Sequence, residues 1–465
     1  MQDEKVKGKV YLVSLIIVMI LGIYVLMSIY FDKHYYFGTY INGINVSCKT
    51  VDEANDLLLK ESYNYVIKLE ERDNITESIE GSNINFKYEG SNEAQEIKDR
   101  QNPALWLINI FSNNKYIINE VYSFDRELLL EELEKLGCFN NENIIEPLDA
   151  CFKYENGEYK IIKEVYGNKV NKELLYAYVL NSIILGERSI NLDEINAYEN
   201  PKFTSTSEKV IQAQNELNKY VNSKIYYIFD NEIEILDGSI INTWLDVDSS
   251  MNISVNEEAV KEYLNELSKK YDTYGKTRSF KSSTGKTINV VGGNYGWKIN
   301  KSKEKEALIE NIKNGEEIKK EPIYTQTALG TRDDDIGNTY VEINLTTQSL
   351  WFYKDGKLIV QGDVVTGNVS RGNGTPQGTY ILNYKQKNAT LKGSNYSSDV
   401  KYWMPFNCNI GIHDASWRSD FGGEIYKTSG SHGCVNAPEY LAKKIYENIE
   451  AGTPIISHLY LAIIS

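Results

Sequence analysis

The chain has 465 residues, 65 of them acidic and 50 basic, which gives a formal net charge of −15 at neutral pH. This length suits roughly two to four domains, and the acidity argues against a nucleic-acid partner. Five cysteines are few and odd in number, which does not suit a disulfide framework and fits at least one functional free thiol. Cys138 and Cys151 can pair, although nothing in the sequence requires it.

Residues 10–31 form an uncharged apolar run of membrane length. At about 1.5 Å per helical residue it spans roughly 33 Å, enough for a hydrocarbon core of about 30 Å. Lys5, Lys7 and Lys9 precede it, so the positive-inside rule predicts a cytoplasmic tail at 1–9 and extracellular domains after the helix. A cleaved signal peptide is the alternative, but the run is long for one and no small-x-small site follows. We therefore expect an uncleaved, single-pass transmembrane anchor in the cell membrane.

An internal repeat follows the apolar run. Thr50 with Glu53 three residues later predicts a capping box before a first amphipathic helix. The matched segments are 124–136 with 255–267, YGNKVNK at 166–172 with YGWKINK at 295–301, and the Gly-Glu pairs at 186–187 and 315–316. Repeats of this size indicate a domain duplication and not a solenoid. We expect two α+β modules at 37–200 and 201–325, followed by a linker at 326–338.

Residues 339–458 read as a separate, mainly-β domain. Its short alternating strands are separated by glycine turns, which is typical of a β-sandwich-like mixed sheet. A helix is predicted over 438–449, with Pro438 in its first turn and an apolar stripe of Leu441, Ile445 and Ile449. The tail at 453–464 is predicted to return as a final strand.

The residue types of a thiol active site are concentrated at 411–436, GIHDASWRSDFGGEIYKTSGSHGCVN. Cys434 needs a base to ionise it, because a free thiol is mostly protonated at neutral pH. His432 lies two residues away, and His413 stands at the end of a predicted strand; spacing alone does not choose between them. Glycines on both sides of His432 permit a tight turn that can aim several N–H groups at one oxyanion.

Other interpretations of these residues are a zinc site and a structural cysteine. His413, His432, Cys434 and His458 are all ligand types, but the chain has no Cys-x-x-Cys or His-Glu-x-x-His spacing. Buried cysteine is also common as a small apolar residue. We expect that packed role for Cys408, which lies in the strand before His413.

The segment SHGCVN at 431–436, preceded by an Ile-His strand end, resembles the signature of the L,D-transpeptidase (YkuD) catalytic domain. Three upstream segments resemble that family in the same order: NLTTQSLWFY at 344–353, VTGNVSRGNGTPQGTY at 365–380 and YWMPF at 402–406. The resemblance covers about 120 residues. Residues 38–60 are similar to the start of the peptidoglycan-binding modules that often precede such domains.

The resemblance implies roles for individual residues. Cys434 is the nucleophile, His413 its base, and the backbone carbonyl of Asp414 the group that orients the base. His432, Gly433 and Ser431 shape the turn that, with the Cys434 N–H, lines the oxyanion hole. The further expected substrate contacts are Asn436, where many relatives carry arginine, and the pocket walls Tyr402 and Trp417. No metal or other cofactor is implied.

The activity implied by the resemblance is transfer between peptidoglycan stems. Cys434 attacks the third residue of a tetrapeptide stem, D-Ala leaves, and a side-chain amine of a neighbouring stem resolves the thioester into a 3→3 crosslink. A water acceptor gives an L,D-carboxypeptidase, and a protein amine gives a protein-to-peptidoglycan ligase. Papain-like and NlpC-type endopeptidases place cysteine before histidine, the reverse of the order here; a wall-binding protein with an inactive domain is a further rival.

For the two modules, two functions are open. Trp244, Trp297 and many tyrosines suit stacking on sugar rings, which would hold the enzyme on glycan or stem peptide. The alternative is that these aromatics are core and that the modules are spacers that raise the active site above the membrane. The partners we expect are therefore peptidoglycan and, through the N-terminal helix, the membrane.

Overall fold

The computed structural model describes residues 2–90, 92–118, 122–393 and 396–459. The chain divides into two compact units: residues 1–152 with 161–210, and residues 153–160 with 211–465. Short 3-10 turns lie at Arg72–Asn74, Gly81–Ile84, Pro103–Leu105, Gly137–Phe139, Asn242–Trp244 and Val369–Arg371.

The first unit begins with one long helix, α1 (Gln2–Lys33), which contains the predicted span. Residues 6–33 of this helix are long and apolar enough to cross a membrane, a test that a signal sequence also passes. Its C-terminal half packs onto the domain that follows: Phe31 is fully buried beside Trp106, and the Tyr24 hydroxyl donates to the Ala104 carbonyl at 2.6 Å.

The remainder of the first unit is an α+β module, as the sequence predicts. Its helices are α2 (Val51–Tyr63), α3 (Glu93–Asp99), α4 (Trp106–Asn109), α5 (Arg126–Glu134) and α6 (Lys172–Leu185). Its strands are β1 (Thr39–Ile41), β2 (Ile44–Asn45), β3 (Val66–Glu70), β4 (Thr76–Glu80), β5 (Lys87–Tyr88), β6 (Asn114–Tyr116), β7 (Tyr122–Ser123), β8 (Cys151–Glu155), β9 (Glu158–Ile162) and β10 (Ser189–Asn191), with the hairpin β8–β9 at the boundary between the units. The predicted capping box is present, since Thr50 and Glu53 bond reciprocally at the start of α2.

The second unit opens with a module of similar topology. Its elements are α7 (Glu208–Val221), β11 (Lys224–Phe229), β12 (Glu232–Leu236), α8 (Gly238–Ile241), β13 (Leu245–Val247), β14 (Ile253–Val255), α9 (Glu257–Tyr271), β15 (Arg278–Lys281), β16 (Thr287–Val290), β17 (Lys298–Ile299), α10 (Lys301–Asn314), β18 (Glu317–Lys320) and β19 (Tyr324–Gln326). In both modules the central strand (β3 or β11) pairs antiparallel with the next strand and parallel with the strand that follows the module's last helix (β10 or β18). The repeated helix α6 and its counterpart α10 both begin at an asparagine N-cap and end at a left-handed glycine.

Residues 326–338, predicted as a linker, are packed against the second module. Asp335 is buried and forms an ion pair with the buried Arg278, at 2.6 Å between Oδ2 and Nη2. Ile336 joins an apolar cluster with Phe280, Val290 and Ile456. Composition predicts a linker here, because Asp335 lies in an acidic run and its partner Arg278 is 57 residues earlier in the sequence.

The C-terminal part of the second unit consists of two mixed sheets around one core. Its elements are β20 (Tyr340–Asn344), β21 (Ser349–Lys354), β22 (Lys357–Asp363), β23 (Gly378–Ile381), β24 (Gln386–Gly393), β25 (Tyr396–Asn407), β26 (Ile410–Asp414), α11 (Ile425–Ser429), β27 (Val435–Ala437), α12 (Glu439–Asn448) and β28 (Pro454–His458). The sheet orders are β22-β21-β20-β28-β23 and β24-β25-β26-β27. This confirms the predicted mainly-β domain; of the predicted last strand, residues 460–464 lie outside the described part of the chain.

The core of this domain fixes the elements that carry the catalytic motif. Leu441, Ile445 and Ile449, the predicted stripe, are all fully buried, and all three belong to one core cluster with residues of both sheets. At about 25 cal/mol per Å² of buried apolar area, each side chain contributes on the order of 2 kcal/mol. The chain thus enters α12 directly from β27, and packing of the helix holds the strand in register.

All five cysteines are free. Cys138 is buried and Cys151 is exposed, so the pairing that the sequence left open does not form. Cys408 is not the packed core residue that we expected: it is exposed, at a left-handed position (φ 48°) in the turn between β25 and β26. A tight turn points this side chain outward, whatever its apolar character.

Candidate active site

The pairing of β26 with β27 brings His413 and Cys434 to one face of a sheet. The strands are parallel, with Ile412 opposite Val435 and His413 opposite Asn436. Since side chains alternate along a strand, Cys434 and Asn436 point to the same side as His413, and Ile412 and Val435 point into the core. Both side chains line one cavity of about 180 Å³.

The His413 ring is oriented by its neighbour's main chain. Its Nδ1 lies 2.8 Å from the Asp414 carbonyl oxygen. A carbonyl only accepts, so Nδ1 carries the hydrogen and the lone pair of the neutral ring is on Nε2. The Asp414 carboxylate is used elsewhere, because its Oδ1 accepts the backbone N–H of Tyr402 at 2.8 Å.

Burial sets the charge state of both groups. Burial lowers the pKa of His413, against the opposing effects of the Asp414 carbonyl and carboxylate, and the Arg418 charge lowers it further. Burial raises the pKa of Cys434 to about 11, although the backbone N–H of Gly411 favours the thiolate. The thiol donates to the Asn409 carbonyl, with 3.5 Å between Sγ and oxygen. Both shifts favour the uncharged forms, a thiol and a neutral imidazole.

The turn before Cys434 is fixed by hydrogen bonds and by glycine. A Cβ on Gly430 would lie 2.6 Å from the Asn368 nitrogen, and Gly433 has φ 122°. The Ser431 hydroxyl donates to the Cys434 carbonyl at 2.5 Å and accepts the Gly433 N–H at 3.1 Å. The Gly433 N–H, an expected oxyanion donor, is thus already used inside the turn.

The structure places some of the predicted substrate contacts in the cavity and others elsewhere. The residues that line it are Leu391, Ser398, His413, Trp417, Arg418, Gly430, Ser431, His432, Cys434 and Asn436. Tyr402 is absent from the described lining; its ring packs against Tyr446, with 5.3 Å between centroids. The neighbouring Trp403 lies beside His413, at 5.9 Å between ring centroids, and is likewise absent from the described lining.

Asn436 and Arg418 present unpaired polar atoms here. Within the described residues, Oδ1 of Asn436 and Nε of Arg418 are buried without a hydrogen-bond partner. The Arg418 Nη2 donates to the Ser429 carbonyl at 2.8 Å, which anchors the guanidinium. The sequence reasoning missed Arg418; an arginine five residues after a candidate base was the available signal.

The residues of the alternative zinc site are not assembled. His458 lies on β28 in the other sheet, and its Nε2 is 2.9 Å from Glu342 Oε1, with both side chains buried. In the described part of the chain, the one group of potential ligands close enough to share an ion is Glu71, Glu77 and Cys138.

Comparison with known proteins identifies the domains. The family model of the L,D-transpeptidase catalytic domain matches residues 338–456, and that named Putative peptidoglycan binding domain matches 78–191 and 203–319, together more than half of the chain. No curated protein matches.

Solved structures of L,D-transpeptidases are similar to parts of the chain. The crystal structure of a cysteine-to-serine mutant of the Enterococcus faecium L,D-transpeptidase is 34% identical, covering 52% of this chain and 98% of that one at a TM-score of 0.44. The avibactam carbamoyl enzyme of Ldtfm is also 34% identical, with 54% and 98% covered at 0.44. The NMR structure of the E. faecium catalytic domain acylated by ertapenem is 41% identical, with 26% and 97% covered at 0.25. On the family matches, the chain belongs to the L,D-transpeptidase family and carries two peptidoglycan-binding modules before its catalytic domain.

Proposed function

We propose that this L,D-transpeptidase forms 3→3 crosslinks between peptidoglycan stems through a thioester on Cys434. One observation carries the proposal. The parallel pairing of β26 and β27 sets Cys434 and His413 on one face, around one small cavity, with the imidazole oriented as a base.

In the first step Nε2 of His413 takes the thiol proton as Sγ attacks the carbonyl carbon of the third stem residue. The S–C bond forms, the C–N bond to D-Ala breaks, and His413 returns the proton to the leaving amine. Because both groups are neutral at rest, proton transfer accompanies attack. The Cys434 N–H is the proposed oxyanion donor, and that of Gly433 joins it only by leaving the Ser431 hydroxyl.

In the second step a side-chain amine of another stem attacks the thioester carbon. The N–C bond forms, the C–S bond breaks, and the amine proton returns to sulfur through His413. Water in place of the amine gives carboxypeptidase activity, and a protein amine gives ligation of that protein to the wall. The first product, D-Ala, is common to all three outcomes.

We assign recognition of the donor's terminal carboxylate to Arg418. The guanidinium lies in the cavity wall, is held at Nη2 by the Ser429 carbonyl, and has an unpaired buried Nε. A tetrapeptide stem ends one residue beyond the attacked carbonyl, so its carboxylate is close to the reacting atoms. Arginine pairs with carboxylates through several parallel donors, which gives both energy and orientation.

The N-terminal helix α1 is proposed as a single-pass anchor, with its start in the cytoplasm and the modules facing the wall. Support comes from the lysines before the apolar run and from the wall-directed domains after it. Protease treatment of intact spheroplasts should remove the modules and spare an epitope at residue 2. Loss of the epitope, or a mature form that starts after residue 31, would contradict the anchor.

The test of function uses the purified full chain with a disaccharide-tetrapeptide. We expect release of D-Ala and a dimer whose mass equals two substrates minus one D-Ala, with fragmentation that places the new bond between the two third residues. Cys434→Ala should give neither product. We also expect ertapenem, which acylates the E. faecium catalytic domain, to add its mass to the peptide containing Cys434. Turnover by Cys434→Ala would contradict the nucleophile.

A further inference from the structure

The second module contains a groove of about 940 Å³. None of the residues that line it also lines the catalytic cavity. It lies between α9, the start of α10 and the loop that follows α9. Its volume is that of a site for a sizeable ligand. We infer that this groove, called here the module-2 groove, binds the peptide stem of an uncrosslinked muropeptide, an inference that rests on the proposed function.

The lining combines an aromatic surface with charges of both signs. Trp244 and Tyr263 form its apolar wall, with 5.4 Å between ring centroids. The Tyr274 ring is 37% exposed, and Nζ of Lys298 lies 4.1 Å from its centroid. Glu262 adds a carboxylate. A ring beside an ammonium offers a stacking surface and a partner for a carboxylate in one place.

The loop that carries Tyr274 is rigid. The N–H groups of Thr273 and Tyr274 both donate to the Trp297 carbonyl, at 3.0 and 3.1 Å. Nη2 of Arg278 donates to the Thr273 carbonyl at 2.9 Å, and this arginine is the buried partner of Asp335. Little conformational entropy is therefore lost when a ligand contacts the loop, which favours binding.

The duplicated first module provides an internal comparison. In the repeat, Lys298 corresponds to Lys169, whose Nζ lies 3.2 Å from carboxylate oxygens of both Glu146 and Glu199. Two carboxylates thus neutralise the first module's lysine, whereas the second module's lysine lies over a tyrosine ring.

A second pair of repeat positions shows the same difference. Lys172 forms an ion pair with Glu134, whereas its counterpart Lys301 donates to the neutral amide oxygen of Asn265, at 2.8 Å. At both positions the second module leaves its ammonium without a carboxylate partner in the described part of the chain. The comparison of the two modules therefore favours the second module as the one whose lysines bind a ligand.

The charge pattern selects the class of ligand. An uncrosslinked stem carries terminal and side-chain carboxylates together with the amine of its diamino acid, which matches lysines and Glu262 in one groove. The lining carries four lysines (Lys269, Lys276, Lys298 and Lys301) beside the carboxylates of Glu262, Glu266 and Asp272. A polyphosphate such as teichoic acid complements the lysines only, whereas a stem has carboxylates for the lysines and an amine for the acidic residues. A neutral glycan would use the aromatic rings and leave the lysines without a role.

The experiment is isothermal titration of the full chain in detergent, in a Cys434→Ala background that blocks turnover. The probe is disaccharide-tetrapeptide; the comparison probes are the peptide-free disaccharide and polyglycerol phosphate. We expect the parent to bind the muropeptide at the groove in addition to the catalytic site. In Tyr274→Ala and Lys298→Gln the dissociation constant of the groove site should rise by about ten- to a hundredfold. Tyr274→Phe should restore the site, because it retains the ring, and Lys169→Gln in the first module is the matched control.

Identical titrations of the parent and the two groove variants would overturn the inference, as would binding of polyglycerol phosphate or the bare disaccharide in place of the muropeptide. Circular dichroism shows whether each variant is folded, and Lys298→Gln keeps the test valid if Tyr274→Ala is not. Release of D-Ala by the wild-type enzyme is measured separately. If the muropeptide does not bind the groove but D-Ala is released, the inference is wrong and the proposed function stands. If the muropeptide binds the groove but no D-Ala is released, only the proposed function is contradicted.

Discussion

The Nδ1 atom of His413 lies 2.8 Å from the carbonyl oxygen of Asp414, the residue that follows it in β26. The partner that fixes the base is thus a main-chain atom of the same strand, and the Asp414 side chain is free to bond the neighbouring strand. Replacement of that side chain therefore leaves the orienting carbonyl in place. The lone pair on Nε2 follows from this contact, and with it the proposal of a base that removes the thiol proton.

The first prediction concerns the reactivity of Cys434 in the free enzyme. Since burial raises its pKa to about 11 and lowers that of His413, we expect iodoacetamide to alkylate it slowly at pH 7–8. The rate should rise roughly tenfold per pH unit up to about pH 10. The measurement is peptide mass spectrometry after timed alkylation. Cys408, which is exposed, is an internal reference in the same sample.

A preformed thiolate–imidazolium pair would give a different result. Alkylation of Cys434 would then reach a plateau below pH 7 and exceed the rate at Cys408. Turnover should meanwhile lose activity as pH falls through the His413 pKa, below its ordinary value of 6.5, because protonated imidazole accepts no proton. A loss of activity centred above pH 6.5, or no loss at any acidic pH at which the protein remains folded, would contradict His413 as the base.

The second prediction concerns Arg418 and the donor carboxylate. Arg418→Gln should lower kcat/KM for the tetrapeptide donor by about ten- to a hundredfold, the effect of losing a charge-assisted hydrogen bond. Arg418→Lys should recover part of this loss. The control is a donor whose terminal carboxylate is an amide: wild type and Arg418→Gln should process it at similar rates. An equal loss on both donors would show a structural role only.

The third prediction concerns the buried pair of Arg278 and Asp335. Asp335→Ala leaves the guanidinium buried without its partner, and removal of one member of such a pair costs about 3–5 kcal/mol. We expect a clear fall in the melting temperature of the second unit, measured by differential scanning calorimetry. Asp333→Ala, at an exposed position of the same acidic run, is the matched control and should leave the transition unchanged. Equal behaviour of the two variants would contradict the packed state of residues 326–338.

The fourth prediction concerns the first module, where Glu71 contacts Glu77. The Glu77 oxygens accept the N–H groups of Gly137 and Cys138, at 2.8 and 3.2 Å, which fixes this carboxylate beside Glu71. Burial, and then the contact with Glu77, raises the pKa of Glu71 to about 8. Because this folded-state pKa lies above the unfolded value of 4.5, the stabilisation is complete below pH 4.5 and is lost as pH rises through 8.

Glu71→Gln replaces the protonated carboxyl by an amide that is also a donor. We expect it to increase the stability of β3 and β4 at pH 8 by about 1 kcal/mol and to change little at pH 5, measured by hydrogen exchange of the peptides that contain them. Glu70→Gln, at an exposed neighbouring position, should have no such pH dependence. A stability difference between Glu71→Gln and the parent that is the same at both pH values would contradict the raised pKa of Glu71.

Local signals predicted most of the architecture. The capping box at Thr50, the stripe on α12 and the repeat of YGxKxNK segments each depend on neighbouring residues, and the structure contains the elements they indicate. Long-range partners were not predictable in the same way. Asp335 cannot be distinguished from the other acids of a polar run until Arg278 is placed beside it. Similarly, the sequence does not show that Trp403, and not Tyr402, packs beside His413, because this depends on the packing of β25.

Intact-protein mass spectrometry of the full chain, mixed with disaccharide-tetrapeptide and quenched in acid, tests the central claim most directly. The account predicts a mass increase equal to disaccharide-tetrapeptide minus D-Ala, formed with one equivalent of D-Ala and removed by hydroxylamine, which digestion of the quenched sample places on the peptide containing Cys434. A folded Cys434→Ser variant should carry no adduct under those conditions. An adduct on another residue, or D-Ala release by the Cys434→Ser variant at the wild-type rate, would contradict it.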